Sequence, residues 1–356
     1  MKRIILLLLV FLPLLAAAKR DKDTRLIIIT IDGLRWQEVF TGADPDLVGD
    51  AKVVRDTTEL RQAYWRSTPE ERRQTLMPFT WDVIARQGLL IGNRNKSSVM
   101  QVANKTNISY PGYSEMMTGM VDEKITENDA VNNPHRNVLE VANADPRYKG
   151  RVMMYGSWKP TRFAIHNDSA GIPASAAFEP SIASKQTPRL QMLDRMQEGM
   201  PHFWRHERFD AFTFAYVMET LKTDHPKVLW VSFGDGDEWA HARKYNLYLD
   251  SAHDTDAFIR DIYEACERDP FYRGKTTYLI TCDHGRGWGD GWANHGSSNK
   301  GSEATWLMLW GKGIQPVGET VNNGPYYTKQ VAATIAAILG IDFTPDDGNQ
   351  LSPIIP

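Results

Sequence analysis

The chain contains several short apolar runs, rich in β-branched residues, each of which stops abruptly at a polar residue. The first covers residues 26–31, reads LIIITI and ends at Asp32. A strand with both faces buried in a parallel sheet has this continuous apolar pattern, because no side of it faces solvent. The sequence therefore predicts a buried parallel strand with Asp32 at its carboxyl end.

Helical patterns separate this run from the later ones. Further strands are predicted at residues 89–93, 151–155, 227–233, 276–282 and 304–310, and amphipathic helices at 78–88, 248–268 and 328–339. Strands that alternate with helices are typical of an α/β fold with helices on both faces of a mostly parallel sheet. We expect one domain over residues 19–356, with an insertion that caps the core at about 160–223, where the alternation is lost.

The N-terminus has the pattern of an export signal. Lys2 and Arg3 precede fifteen apolar residues, 4–18, which end in three alanines. Basic, apolar and small-residue zones in this order predict a signal peptide over residues 1–18, removed on export to the periplasm or the medium. The apolar stretch is shorter than the roughly 20 residues that span a bilayer, so no transmembrane anchor is expected. The alternative is that this segment is an uncleaved anchor.

Charge and cysteine content exclude two classes of protein. Lys and Arg number 41 against 44 Asp and Glu, a formal charge of −3, which gives no basic excess for binding a nucleic-acid polymer. The two cysteines, Cys266 and Cys282, are too few for a disulfide scaffold. Because one falls on a predicted helix and the other in a predicted strand, we expect two buried thiols, with a disulfide as the alternative.

Acidic residues and histidines follow the predicted strands, where ligands bind in such sheets. Taken singly, an Asp after a strand is commonly a turn or cap residue. Together, carboxylates and imidazoles without sulfur favour two divalent ions, with zinc as the first choice and manganese as the alternative. A pair of such ions serves phosphoryl displacement. The candidate ligands are Asp32, Asp237, His241, Asp283, His284 and His295.

A candidate nucleophile lies in the segment NISYPGYSEMMTG, which carries Ser109 before a proline and Ser114 and Thr118 within a predicted helix. A serine at a helix N-terminus has backbone amides directed at any bound phosphate, and a metal ion lowers the pKa of its hydroxyl. The alternative is that this serine only caps the helix.

Five motifs occur in one order along the chain: ITIDGLR, SYPGYSEMMTG, DGDEWAH, DHG and NHG. In this they resemble the alkaline phosphatase superfamily, and within it the type I phosphodiesterase/nucleotide pyrophosphatase group. The resemblance implies an alkaline phosphatase-like fold with Ser109 between two metal ions. Asp237, His241 and His295 would hold one ion, and Asp32, Asp283 and His284 the other.

The resemblance also implies a reaction. The serine would attack phosphorus and form a covalent phosphoenzyme, which water then releases. Diesterases of the group usually carry Thr where this chain has Ser109, so monoester and diester substrates stay open. Sulfatases of the same fold carry a C/S-x-P-x-R signature, and Tyr113 stands where that signature needs Arg.

Relatives bind a phosphoryl oxygen through an Asn beyond the nucleophile, for which Asn128, Asn132 and Asn133 are candidates. Arg35 lies where relatives also carry Arg, and it either contacts substrate or forms a structural salt bridge. The sequence thus predicts an exported two-metal hydrolase of small phosphoesters, with oligomeric state undefined. The alternatives are a phosphoryl or phosphoalcohol transferase and a metal-containing binding protein without activity.

Overall fold

The computed structural model describes residues 24–355. The predicted signal peptide, residues 1–18, lies outside this range. Within it, no helix combines the length and the apolar character needed to cross a membrane.

A large mixed sheet forms the centre of the described structure. Its strand order is β10-β2-β9-β7-β1-β6-β4-β5, and a smaller sheet has the order β11-β3-β8. Within the described part of the large sheet, β9 is the one strand antiparallel to its neighbours, so the prediction of a mostly parallel sheet is confirmed. The strands are β1 (Arg25–Ile31), β2 (Gly88–Ile91), β3 (Ser98–Gln101), β4 (Val152–Gly156), β5 (Ala174–Ala176), β6 (Val228–Phe233), β7 (Thr276–Thr281), β8 (Ala304–Thr305), β9 (Leu307–Gly311), β10 (Gly318–Glu319) and β11 (Asn323–Tyr327).

Helices cover both faces of the large sheet. They are α1 (Trp36–Thr41), α2 (Thr57–Tyr64), α3 (Pro69–Leu76), α4 (Ala85–Gln87), α5 (Ser109–Thr118), α6 (Val138–Ala144), α7 (Asn167–Ala170), α8 (Pro188–Gly199), α9 (Asp210–Thr223), α10 (Asp235–His241), α11 (Tyr245–Arg268) and α12 (Gln330–Leu339). A π-helical turn, Thr80–Ile84, precedes α4, and short 3₁₀ segments occur at Arg94–Lys96, Lys159–Ile165 and Gly289–Ala293. The helical prediction for 78–88 therefore corresponds to a π turn that continues into α4.

The apolar run of β1 is continuous because successive side chains enter two different cores. Ile27 and Ile29 pack in the core that α9 and α11 cover, whereas Leu26 and Ile28 pack in the core that α5, α6 and α12 cover. Alternate side chains of a strand point to opposite faces of its sheet. Burial of each such side chain contributes about 1.5–3 kcal/mol relative to exposure.

Two parts of the chain differ from the expected pattern. Residues 160–223, where we expected an insertion on the core, contribute β5, which pairs in parallel with β4 at the edge of the large sheet. They also contribute α9, which packs against the sheet. The predicted strand 304–310 divides at Trp306, because β8 joins the small sheet and β9 the large one.

Cys266 and Cys282 are both buried and form no disulfide, which confirms the prediction of two buried thiols. Burial raises the pKa of Cys266 to about 12. This thiol is therefore protonated at neutral pH and unreactive in the folded protein.

Candidate metal centre and nucleophile

The carboxyl ends of three neighbouring strands bring the candidate ligands to one edge of the sheet. Strand β1 pairs in parallel with β6 on one side and with β7 on the other. Asp32 follows β1, α10 follows β6, and Asp283 and His284 follow β7. Parallel strands end at the same edge, so residues far apart in sequence meet there.

One group of candidate ligands consists of Asp32, Asp283 and His284. His284 Nε2 lies 3.4 Å from Asp32 Oδ1 and 3.4 Å from Asp283 Oδ2. The Gly33 amide donates to Asp283 Oδ1 over 3.2 Å and so orients that carboxylate. One ligand atom from each of the three side chains lies within 4.8 Å of the others, and all three residues are buried.

A second group forms around Asp237. Helix α10 places His241 one turn after Asp237, with His241 Nε2 at 3.0 Å from Asp237 Oδ2. His295 Nε2 lies 2.9 Å from His241 Nε2 and 3.7 Å from Asp237 Oδ1. His284 Nε2 is 3.9 Å from Asp237 Oδ1, so the two groups adjoin. The structure thus brings all six candidate ligands together.

Ser109 is the first residue of α5 and is 4% exposed. Its Oγ lies 3.1 Å from His284 Nε2 and 3.4 Å from Asp32 Oδ1. The other two candidate hydroxyls have different partners, since Ser114 Oγ accepts from Asn133 Nδ2 and Thr118 Oγ1 donates to the Ser114 carbonyl. Of the three, Ser109 is the hydroxyl that faces the candidate ligands.

Burial sets the protonation of the two central histidines. It lowers the pKa of His284 to about 4 and, together with His284 itself, lowers the pKa of His295 to about 3. Both imidazoles are therefore neutral at pH 7, which is the form that binds a metal ion. Burial and the neighbouring Asp237 raise the pKa of Asp32 to about 7. Burial, Asp32 and Asp237 also raise the pKa of Asp283, so a cation between these carboxylates would relieve their mutual repulsion.

An unpaired oxygen provides a direct test of whether the residues fit metal ions. Asp283 Oδ2 is buried and has no hydrogen-bond partner among the described residues. Leaving such an oxygen unpaired costs about 1–3 kcal/mol, and more for a charged group, unless something binds it. Three carboxylates and three imidazoles without sulfur are a donor set that zinc and manganese accept. The residues therefore fit a pair of divalent ions.

Two further side chains touch the candidate ligands and were missed by the sequence reasoning. The Tyr113 hydroxyl donates to Asp32 Oδ2, and the Arg286 guanidinium donates to Asp237 Oδ1. Although burial opposes it, Arg286 and His241 hold the pKa of Asp237 well below its usual range. Tyr113 is one helical turn after Ser109 and could have been found from that spacing, whereas nothing in the sequence distinguishes Arg286.

The three candidate asparagines lie in different surroundings. Asn128 Oδ1 accepts a hydrogen bond from the Tyr110 amide at 2.9 Å, which places this side chain beside the candidate nucleophile, Ser109. Asn133 is buried and donates to Ser114 Oγ over 2.8 Å. Asn132 is exposed. Asn128 is thus the one of the three with a direct contact to the start of α5.

Arg35 forms a buried ion pair. It is 1% exposed, and its guanidinium donates to both carboxylate oxygens of Glu38 and to Asp44 Oδ2. A further hydrogen bond reaches the Gly287 carbonyl at 3.3 Å. These contacts correspond to the structural salt bridge that we considered for this residue.

This chain is similar to known proteins in its three-dimensional structure and not in its sequence. No family model matches the sequence, and no curated protein sequence matches it. The wild-type alkaline phosphatase PafA superposes with a TM-score of 0.60 over 93% of this chain and 98% of its own, at 9% identity. A phosphonate monoester hydrolase of Agrobacterium radiobacter gives 0.55 over 90% and 74%, at 14% identity. The lipoteichoic acid synthase LtaP from Listeria monocytogenes gives 0.57 over 93% and 74%, at 10% identity. The chain therefore has the fold of the alkaline phosphatase superfamily, as the five ordered motifs predicted.

Proposed function

We propose that this protein is an exported hydrolase of small phosphoesters that uses Ser109 as a nucleophile beside two divalent metal ions. The observation that carries the proposal is the position of Ser109 Oγ, 3.1 Å from His284 Nε2 and 3.4 Å from Asp32 Oδ1. A buried hydroxyl in contact with two ligands of the first group, of which His284 adjoins the second group, is suited to attack on a phosphoryl centre. Zinc is the first choice for the ions, and manganese is the alternative.

The start of α5 favours an anion at the same place. Ser109 is its first residue, and the ten-residue helix directs its N-terminal amides and the positive end of its dipole toward the candidate ligands. When bound, two divalent ions would supply a lowered pKa for the serine hydroxyl and would neutralise phosphoryl charge. Both effects stabilise charge that develops during attack.

The reaction then proceeds in two steps through the protein's own nucleophile. Ser109 Oγ gives up its proton to solvent and forms a bond to phosphorus, while the bond from phosphorus to the leaving ester oxygen breaks and that oxygen takes up a proton. Water then attacks phosphorus, the bond from phosphorus to Ser109 Oγ breaks, the phosphate product leaves and the serine hydroxyl is restored. The role of Asn128 in these steps is to hold the phosphoryl group, because its Oδ1 is engaged by the Tyr110 amide and its Nδ2 can donate to a phosphoryl oxygen.

The test is hydrolysis of p-nitrophenyl phosphate, bis-p-nitrophenyl phosphate and p-nitrophenyl sulfate by the purified protein. We expect phosphoester turnover that chelation abolishes and that zinc or manganese restores. Ser109→Ala should lower kcat/KM by about 10³-fold or more, since a covalent nucleophile is lost. The matched control is Ser114→Ala, which removes a hydroxyl of the same helix that hydrogen-bonds Asn133 instead.

The outcomes separate the proposal from its rivals. Unchanged phosphoester turnover in Ser109→Ala would reject the serine mechanism. Preferential cleavage of the sulfate ester would assign a sulfatase, although Tyr113 stands where that signature carries Arg. Transfer of the phosphoryl group to an added alcohol in preference to water would assign a transferase.

A further inference from the structure

We propose that Glu207, Asp210 and Asp235 form a separate calcium site at the turn that joins β6 to α10. One carboxylate oxygen from each lies within 4.8 Å of the others. None of the three belongs to the two groups around Ser109. The proposal therefore goes beyond the hydrolytic centre and stands or fails independently of it.

Glu207 supplies the observation that points to a ligand. This side chain is 4% exposed, and its Oε1 has no hydrogen-bond partner among residues 24–355. The same oxygen lies against Gly234, so closely that any side chain at that position would overlap it. Gly234 directly precedes Asp235, so the unpaired oxygen is directed into the cluster.

Hydrogen bonds within the turn account for the other two carboxylates but not for Glu207. Asp210 accepts from the amides of Gly234 and Asp235, at 2.8 Å and 3.0 Å, and from the Ser157 hydroxyl. Asp235 Oδ1 accepts from the Asp210 amide at 3.0 Å. An ionised carboxylate has about four acceptor positions, so both keep capacity for a cation.

Several negative charges lie close to Glu207. Burial first, and then the carboxylates of Glu238, Asp210, Asp32 and Asp235, raise the pKa of this side chain well above its usual value. A buried charge among like charges is costly unless a proton or a cation neutralises it. Three carboxylates that converge on one point favour the cation, and the protonated carboxyl is the competing explanation that the experiment addresses.

The chemistry of the donors selects calcium. All of them are oxygens, without the imidazoles that both groups around Ser109 contain, and hard cations prefer oxygen ligands. Calcium accepts six to eight oxygens at about 2.3–2.6 Å and tolerates bidentate carboxylates, whereas magnesium usually keeps several waters and takes one or two carboxylates. Oxygens up to 4.8 Å apart can share one such ion.

The site lies where it can stabilise the hydrolytic centre. Asp235 is the first residue of α10, and the same short helix carries Asp237 and His241. A cation held by Glu207 and Asp235 would link the segment before α9 to the start of α10. Binding to the folded chain alone would then stabilise it and fix the turn that presents those two side chains.

The experiment uses the full protein loaded with two equivalents of Zn²⁺, followed by titration with Ca²⁺ alone in a calorimeter and by thermal unfolding. We expect one Ca²⁺ per chain and a rise in Tm of about 3 °C at saturating Ca²⁺. Glu207→Gln should weaken Ca²⁺ binding by about 100-fold, because it removes the negative charge and the second carboxylate oxygen of a direct ligand. Zinc content and phosphoester turnover report separately on the hydrolytic centre.

Glu238→Gln is the matched control, because it removes a nearby negative charge without removing one of the three ligands. It should keep Ca²⁺ binding. Absence of a third ion, or equal Ca²⁺ affinity in wild type and Glu207→Gln, would overturn the proposal. The proposal would also be overturned if Ca²⁺ did not change the Tm of the wild type and Glu207→Gln had a higher Tm than the wild type. That result would assign a protonated carboxyl to Glu207. If Glu207→Gln does not fold, Asp235→Asn replaces it, and unchanged Ca²⁺ affinity in that variant rejects the site.

Discussion

The Tyr113 hydroxyl donates a hydrogen bond to Asp32 Oδ2 across 3.0 Å and accepts one from Ser232 Oγ at 3.2 Å. Tyr113 is fully buried and lies one helical turn after Ser109, so α5 carries both the candidate nucleophile and a side chain that orients a candidate ligand. Burial, Asp283 and Asp32 raise the pKa of Tyr113 well above its ordinary value, which keeps the phenol protonated and able to donate.

Tyr113→Phe removes this hydrogen bond and leaves the ring in place. Partners that orient a metal ligand typically contribute 10–100-fold in metal affinity, so we expect the variant to bind added zinc about 10–100-fold less tightly at the group that contains Asp32. Competition with a chelator of known affinity measures this. Tyr110→Phe is the control on the same helix, because that hydroxyl donates to the Val131 carbonyl. Equal zinc affinity in both variants would contradict the role of Tyr113.

Asn128 and Asn132 make a matched pair for the phosphoryl contact. Both side chains are exposed, but Asn128 is hydrogen-bonded to the Tyr110 amide beside the candidate nucleophile, whereas Asn132 belongs to a surface pocket with Ile125. We expect Asn128→Ala to lower kcat/KM for a phosphoester by about 10–100-fold, the loss of one or two charge-assisted hydrogen bonds. Asn132→Ala should stay within about twofold of wild type. The reverse ranking would assign the contact to Asn132.

The sequence was most informative where a strand has both faces buried. The strands β1, β6 and β7 could be predicted because their runs are mostly apolar and β-branched or aromatic, and the acidic residues and histidines after them indicated the candidate site. Ser109 could also be found from the local sequence, because its residue type and its place at the start of a predicted helix do not depend on distant partners.

Other elements could not be predicted, because their pattern depends on partners distant in sequence. Strand β5 consists of Ala-Ser-Ala, which is too short and too small to give an apolar signal, and it exists because β4 offers an edge to pair with. Arg286 and Glu207 were missed for a related reason. A single charged residue in an irregular segment carries no local sign of what it contacts across the fold.

Arg35 gives a prediction about stability. Its guanidinium pairs with Glu38, and both side chains are at most 1% exposed. Removing one partner of a buried pair leaves the other charge uncompensated, which typically costs 3–5 kcal/mol. We expect Arg35→Gln to lower the free energy of unfolding by about 3–5 kcal/mol in urea while the KM of the folded enzyme is unchanged. Glu38→Gln should have a similar effect. A raised KM with unchanged stability would instead assign Arg35 to substrate binding.

Asp256 on α11 gives a prediction about pH. It accepts hydrogen bonds from the Phe79 amide, the Thr80 amide and the Thr80 hydroxyl, at 2.7, 2.9 and 2.6 Å. Burial nevertheless raises the pKa of Asp256 from 3.8 to about 6. The folded chain therefore binds this proton more tightly than the unfolded chain does. The resulting stability is fully present below pH 3.8 and is lost as the pH rises through about 6.

Asp256→Asn cannot titrate, so the difference in unfolding free energy between wild type and variant isolates this one group. As the pH falls from about 7 to about 4, we expect the wild type to gain about 3 kcal/mol relative to Asp256→Asn, which corresponds to a shift of about two pH units. Urea unfolding at several pH values measures the difference, with Asp254→Asn as a control at an exposed position of the same helix. A difference that is constant with pH, or one that grows as the pH rises, would show that the carboxyl stays ionised in the folded protein. The three hydrogen bonds from Phe79 and Thr80 would then outweigh its burial.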